Sequence, residues 1–333
     1  EGTRRAYLNP DNPLRASIVS DPAGARINTK DNTPAVVHID MVAGDKIEVM
    51  IAAKGGGSEN KSKMVMLNPS DDIAEWVVKT LPTMGAGWCP PGMLGIGIGG
   101  TAEKAGVLAK ESLMDPVDIQ ELIARGPETT EEKLRVDIYH KVNALGIGAQ
   151  GLGGLTTVVD IKIKSMPTHA ASKPVVMIPN CAATRHAHFY LDGSGPAELK
   201  APKLEDWPKI TWEVGADTRR VNMDELTKES ILDWKVGETV LLSGKMLTGR
   251  DAAHKRIQTM LQNGEGLPDG VDLTNRFIYY VGPVDAVGDE VVGPAGPTTA
   301  TRMDKFTDMM LEQTGLLGRI GKAERGPETV KSI

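Results

Sequence analysis

The chain has 333 residues, a formal net charge of −6, 40% hydrophobic residues, 25% charged and 4% aromatic, a balance ordinary for a globular protein long enough for two domains. Its lysines and arginines are scattered rather than gathered into a stripe, which argues against a nucleic-acid partner. No stretch approaches the roughly 18 consecutive apolar residues of a membrane-crossing helix, and the start "EGTRRAYLNPDNPLR" lacks both an initiating Met and the apolar core of a signal peptide, so no membrane is expected and the location reads as cytoplasmic.

Residues 1–80 mix turn clusters such as "NPDNP" and "DPAGAR" with strand-like runs, of which "KIEVMIAA" is the clearest, and that strand runs straight into "KGGGSENKS". Next, "GAGWCPPGMLGIGIGG" reads as a glycine-rich loop around Cys89, followed by a helix that starts at a capping Thr101. Residues 129–145 give a helix in which Thr129 and Glu132 form a capping box and Leu134, Ile138, Val142 and Leu145 share a face, with Gly146 as its stop. "GIGAQGLGGLTTVVDIKI" is a loop leading into a β-branched strand, and "PVVMIPNCAATRHAHFYL" is strand, Cys181, strand. A polar, Pro-rich stretch between about 193 and 235 marks a boundary. Beyond it come a strand in "ETVLLSGKML", a helix ending at Gly264, a strand in "RFIYYVGPV" and a helix entered through threonines in "TTATRMDKFTDMMLEQTG". Glycine turns alternating with strands and helices give an α/β protein.

Cys89 and Cys181 each lie at a turn where backbone N–H groups are free to face a ligand. Two cysteines without CxxC spacing do not close a zinc or iron–sulfur site, so on residue chemistry alone they read as ordinary core thiols. Neither has the Cys/His/Asn pattern of a nucleophile beside it. "AKGGGSEN" allows an anion to approach backbone amides but is no Walker loop, and "GIGIGG" lacks the spacing of a dinucleotide fingerprint. Arg250 at a helix start, Thr298, Thr299 and Arg302 in "GPTTATRMD", and Lys322 in "GKAERG" put cations beside glycines three times over, which suits a dicarboxylate. His169, in the Pro-bounded turn "PTHAASKP", is the best acid/base candidate, although a structural role is the default for any single histidine.

Taken together and in this order, "AKGGGSEN", "GAGWCPPGMLGIGIGGTAEKA", "GIGAQGLGG", "PTHAASKPV", "PNCAATRHA", "TGRDAAH", "GPTTATRMD" and "GKAERG" closely resemble the class I, iron–sulfur-dependent fumarate hydratases of the fumarase and L-tartrate dehydratase family. The resemblance covers nearly the whole chain. It implies a two-domain α/β fold with the active site between the domains. Residues 1–198 would be the cluster-binding domain, 199–235 a linker and 236–333 a smaller C-terminal domain. The first domain is expected to be incomplete at its start and the last at its end, so that the chain is an internal portion of such a protein.

The implied cofactor is a [4Fe–4S] cluster, with Cys89 and Cys181 matching two of the family's three ligands. The third belongs to a Cys-Gln-Asp-type motif that precedes this segment in the family. The implied reaction is the reversible hydration of fumarate to (S)-malate in the tricarboxylic acid cycle, with no redox change, by a homodimer. Arg250, Arg302 and Lys322 would hold the substrate carboxylates with the backbone amides of Gly55, Gly56 and Gly57. Thr298 matches the proton-abstracting position, and His169 a histidine near the substrate hydroxyl. Asp251 and His254 are expected to brace Arg250, with Arg256 outside the site. L-tartrate or a methylated fumarate is the alternative substrate on the same scaffold, and an inactive fragment is the non-enzymatic alternative.

Overall fold

The computed structural model describes residues 1–12, 14–183, 185–199, 203, 205, 208, 211, 213–283, 286, 288–293 and 295–333. Two bodies emerge, one made of residues 1–48 and 190–197, the other of residues 49–189 and 198–333. In the first, α1 (Gly2–Leu8) and the antiparallel pair β1 (Val19–Ser20) and β2 (Ile27–Asn28) are its regular elements. Arg4 is paired with Asp31 at 2.9 Å, yet no described residue among the first 48 is buried.

The chain then runs through β3 (Ile47–Ala52), α2 (Gly56–Glu59), β4 (Lys63–Leu67), α3 (Ile73–Thr80), β5 (Gly92–Gly99), α4 (Ala102–Ser112), α5 (Ile119–Arg125), α6 (Thr130–Ala144), β6 (Val158–Met166), β7 (Lys173–Cys181) and β8 (His186–Leu191). Strands β4, β7, β5 and β6 form a four-stranded sheet in that spatial order, parallel between β5 and β6 and antiparallel elsewhere. The run "GMLGIGIG" is the central strand of this sheet, where a loop was expected. Glycine ordinarily weakens a strand. Here its alternation serves two faces: Leu94 and Ile96 pack with Val77 of α3 and Ile138 and Val142 of α6, while Met93, Gly95 and Gly97 face α4. A β-carbon at Gly97 would sit 1.9 Å from the Ala105 carbonyl oxygen and one at Gly95 2.3 Å from that of Ala109. Only glycine lets α4 lie so close to the strand.

The capping box at Thr129 and Glu132 forms as expected. Helix α4 starts after Thr101, but that hydroxyl donates to Glu103 at 2.6 Å instead of capping the backbone. A buried ionic cluster fixes the segment leading into α5. Asp160 is fully buried and accepts the Asp118 N–H at 3.0 Å and Arg135 at 3.2 Å, while the buried Lys162 donates to the carbonyls of Asp115, at 2.7 Å, and Pro116. Because each charge has a partner, its desolvation is offset.

The rest of the chain carries β9 (Arg219–Asn222), β10 (Val240–Ser243), β11 (Leu247–Thr248), α7 (Asp251–Gln262), β12 (Phe277–Tyr279), α8 (Thr307–Thr314), β13 (Gly318–Ile320) and α9 (Pro327–Ser332). Strands β9 and β10 pair in parallel, and β11, β12 and β13 form a second, fully parallel sheet. Its core joins Ile257 of α7, Ile278, Tyr280, Met303, Phe306 and Met310. The helix expected after the threonines is split into a 3₁₀ turn, Ala300–Phe306, and α8, which stops at Gly315 with φ 70°. Much of 200–212, in the expected linker, lies outside the described residues, but the remainder holds β9, and Met223 and Leu226 are buried with Phe277. Those two apolar side chains tie the stretch to the core.

Candidate active site

The segment before β5 turns sharply. After a 3₁₀ turn, Leu81–Met84, come Gly85 with φ 60°, the fully buried Trp88, Cys89 with φ 63° and the cis bond between Pro90 and Pro91. A left-handed cysteine is an uncommon and strained conformation of the kind that clusters at functional sites. Gln150, in the "GIGAQGLGG" run and also left-handed, braces this turn by donating its backbone N–H to the Pro90 carbonyl at 2.6 Å and its side-chain amide to the same oxygen at 3.3 Å.

Strand register brings in the second thiol. Gly92, three residues past Cys89, is the partner of Cys181 at the end of β7, so both cysteines belong to the same end of the sheet and neither is in a disulfide. The "KGGG" loop is pinned there too. Lys54 donates to the Pro179 carbonyl at 2.9 Å and to the Ser58 hydroxyl at 3.0 Å, and pairs with Glu59 at 3.1 Å. Burial pushes the Lys54 ammonium below its ordinary value, against the pull of Glu59 and, more weakly, of the Cys181 thiol. A β-carbon on Gly57 would sit 3.4 Å from the Gly87 carbonyl oxygen, which puts the glycine loop against the cysteine turn. Gly55 is approached by the Arg185 guanidinium, 3.8 Å from its β-carbon position, and Gly56 faces open space.

The second sheet supplies the opposite wall. Its three parallel strands end on one rim, and the residues just beyond them are Arg250 after β11, Gly282 after β12 and Lys322 after β13. Ligands of open α/β sheets bind at the carboxyl ends of the strands. The Arg250 guanidinium lies along Gly282, its Cζ 3.7 Å from the β-carbon position there, and the Arg250 carbonyl accepts both the backbone N–H of His254, at 3.0 Å, and its Nδ1, at 2.8 Å. Thr298 donates its N–H to the Tyr280 carbonyl at 2.7 Å. Thr299 and Lys322 form a parallel bridge, closed by the Ala300 N–H to the Lys322 carbonyl at 2.9 Å. From that bridge the Lys322 ammonium donates to Cys89 Sγ. A cleft of about 470 Å³ opens here, between Pro82, Gly85, Gln150, Pro297 and Lys322.

The structure thus assembles Gly57, Cys89 and Lys322, with Thr298 next to the Thr299–Lys322 bridge, and register adds Cys181. Arg250 shares the rim with Lys322 but has no described contact with the cysteine turn, and Arg302 is exposed on the 3₁₀ turn after Thr299. His169 does not join them within the chain. It follows β6, whose last residue pairs with Gly99, whereas Cys181 pairs with Gly92 at the other end of β5; seven residues of strand separate these ends by about 23 Å. Its Nδ1 accepts the Ala171 N–H at 3.1 Å in an exposed turn. Sequence reasoning missed Gln150 and Lys61. The side chain of Lys61 crosses Gly87, a contact that no local pattern announces.

Comparison with known proteins decides the family. Residues 1–190 match the family model described as fumarate hydratase (Fumerase), and residues 193–333 the one described as fumarase C-terminus. The chain belongs to the fumarate hydratase family. It is 32% identical over 321 residues to fumarate hydratase 2 of Leishmania major, covering 90% of this chain and 55% of that protein. To the aerobic class I fumarate hydratase of Escherichia coli K12 it is 30% identical over 320 residues, covering 91% and 57%. The chain therefore spans little more than half the length of these fumarate hydratases. Among its described residues no helix is long and apolar enough to cross a membrane, and no group of three or more His, Cys, Asp or Glu side chains is placed to hold a metal ion.

Proposed function

We propose that this protein is a class I fumarate hydratase, adding water across the double bond of fumarate to give (S)-malate. The observation that carries this reading is the contact of Lys322, on the parallel-strand rim, with Cys89, in the strained turn of the other sheet. It sets a carboxylate-binding cation beside a soft metal ligand. The reading extends to a homodimer in the cytoplasm serving the tricarboxylic acid cycle, with residues 1–198 as the cluster-holding part, 199–235 as linker and 236–333 as the part that supplies the cations.

The implied cofactor is a [4Fe–4S] cluster. Two unbridged thiols at one end of a sheet, one of them on a left-handed turn flanked by glycine and proline, fit as two of its ligands. Cys89 and Cys181 would hold it, and when bound it would supply a Lewis acid toward the substrate hydroxyl. The chain's own residues do the rest. Arg250, Arg302 and Lys322 bind the two carboxylates, joined by the backbone amides of Gly55, Gly56 and Gly57, and this positioning supplies much of the barrier reduction. The Thr298 hydroxyl holds the proton exchanged with the substrate carbon, the cations around it lowering its pKa so that its deprotonated form becomes accessible. Water adds without redox change: one proton goes to carbon, the hydroxyl to its neighbour. For His169 the family resemblance alone speaks.

The test is an anaerobic assay of the full protein after reconstitution with iron and sulfide, following the ultraviolet absorbance of fumarate. Interconversion of fumarate and malate is expected, with Cys89→Ser or Cys181→Ser removing both the visible absorbance and the activity. Activity that survives loss of the absorbance refutes the assigned thiol role. Turnover of L-tartrate or a methylated fumarate in place of fumarate changes the substrate.

A further inference from the structure

We propose that Lys61 is a further substrate-contacting cation, holding a carboxylate of the dicarboxylate beside Thr299. The proposal rests on the reading of the site given above and names a residue that the family motifs did not single out. Lys61 lies two residues past the end of α2, its N–H donating to the Ser58 carbonyl at 3.1 Å. Its stem crosses the turn that carries Cys89. A β-carbon at Gly87 would lie 2.6 Å from Lys61 Cε, 3.4 Å from Lys61 Nζ and 3.7 Å from Thr299 Oγ1. The missing side chain of Gly87 is therefore what admits the lysine, and the ammonium and the threonine hydroxyl converge on one point. Two residues along from Gly87 is Cys89, and Thr299 bridges Lys322, whose ammonium donates to that thiol.

The neighbouring lysines show what is unusual about Lys61. Lys54 and Lys110 share Glu59, Lys162 is paired with Asp160, and Lys164 with Asp115. The Lys61 ammonium has no ion pair or hydrogen bond among the described residues, although the residue is half-buried in a chain of net charge −6. A lysine that only needs solvation extends into water. This one lies across a glycine toward a hydroxyl, at a place where Lys322 already supplies a second positive charge. A cation held half out of water without a counter-charge is complemented by an anion, and an ammonium converging with a hydroxyl fits a carboxylate.

The test uses the full protein and succinate, an unreactive dicarboxylate, measured by calorimetry alongside the melting temperature and the visible spectrum. For Lys61→Met the succinate Kd is expected to rise about tenfold or more, and the KM for fumarate with it, while the melting temperature and spectrum hold and Lys61→Arg restores most of the affinity. Should Lys61→Met fail to fold, Gly87→Ala displaces the lysine stem while keeping its charge and is expected to weaken succinate likewise. An unchanged succinate Kd in either folded variant overturns the proposal. So does an affinity that falls away together with the melting temperature and is not restored by arginine. If the protein does not hydrate fumarate but Lys61→Met still weakens succinate, the lysine stands and the hydratase reading falls.

Discussion

His254 shows how a single side chain holds the rim of the second sheet in place. Its Nδ1 lies 2.8 Å from the Arg250 carbonyl, which only accepts, so that nitrogen carries the proton. The ring is wedged edge-on to Tyr280 at 5.3 Å and against Phe306 at 5.6 Å, with Nε2 buried and unpartnered among the described residues. Burial pushes its pKa below the ordinary 6.5; the Arg250 carbonyl and Asp251 pull it back up, while Arg319 and Arg325 add to the depression. Above 6.5 neither folded nor unfolded chain protonates this ring, and stability is at its full value. As pH falls from 6.5 toward the depressed folded pKa, the unfolded chain binds the extra proton and stability is lost. The melting temperature is therefore expected to decline below about pH 6.5, with a shallower decline in His254→Leu, whose melting temperature is lower throughout; an equal slope in the variant would refute the assignment. Sequence pattern singled out Arg250, Thr298 and Lys322 because each sits in a distinctive motif. It could not place His169, since a turn's composition says nothing about which end of a sheet the strand register will assign it to.

At the scale of elements, the contact between α4 and β5 is made backbone to backbone. Gly97→Ala thrusts a methyl into the Ala105 carbonyl, and overpacking of this kind costs about 1–3 kcal/mol. Gly106, on the same helix, has nothing within 4 Å of its β-carbon position, so Gly106→Ala is expected to stabilise by roughly 0.5–1 kcal/mol. Urea denaturation of the two variants measures both, and equal effects would show that the close approach is not what selects glycine. The helices with capping and periodicity, α4, α6 and α7, were legible beforehand. Strand β5 was not, because half its positions are glycine and its strand character comes from neighbours far away in sequence. Helix α3 also passed unnoticed, although Asp72 accepts the Glu75 N–H at its start at 2.8 Å.

For the molecule as a whole, burial is uneven. The apolar clusters draw on residues 65–178 and 221–320, and the described residues among the first 48 contribute nothing buried. Native-state hydrogen exchange should find the amides of residues 1–46 exchanging far faster than those of β5, β6 and β7, because local opening there sacrifices no apolar contact. Slow exchange in 1–46 would contradict that. The α/β class was readable from alternating glycine turns, strands and helices. The mixed direction of the first sheet and the parallel order of the second were not, since pairing partners are chosen by packing over long separations. Lys54 has one more consequence. Gly55 and the first turn of α2, Gly56 and Gly57, are three successive glycines with much backbone freedom to lose, and each ordered residue costs about 1–2 kcal/mol. By fastening Ser58, Glu59 and the Pro179 carbonyl to one ammonium, the chain meets that entropy during folding. The amides of Gly55–Gly57 are thus arranged before any ligand arrives, and a ligand that settled on them would keep more of its interaction energy as affinity.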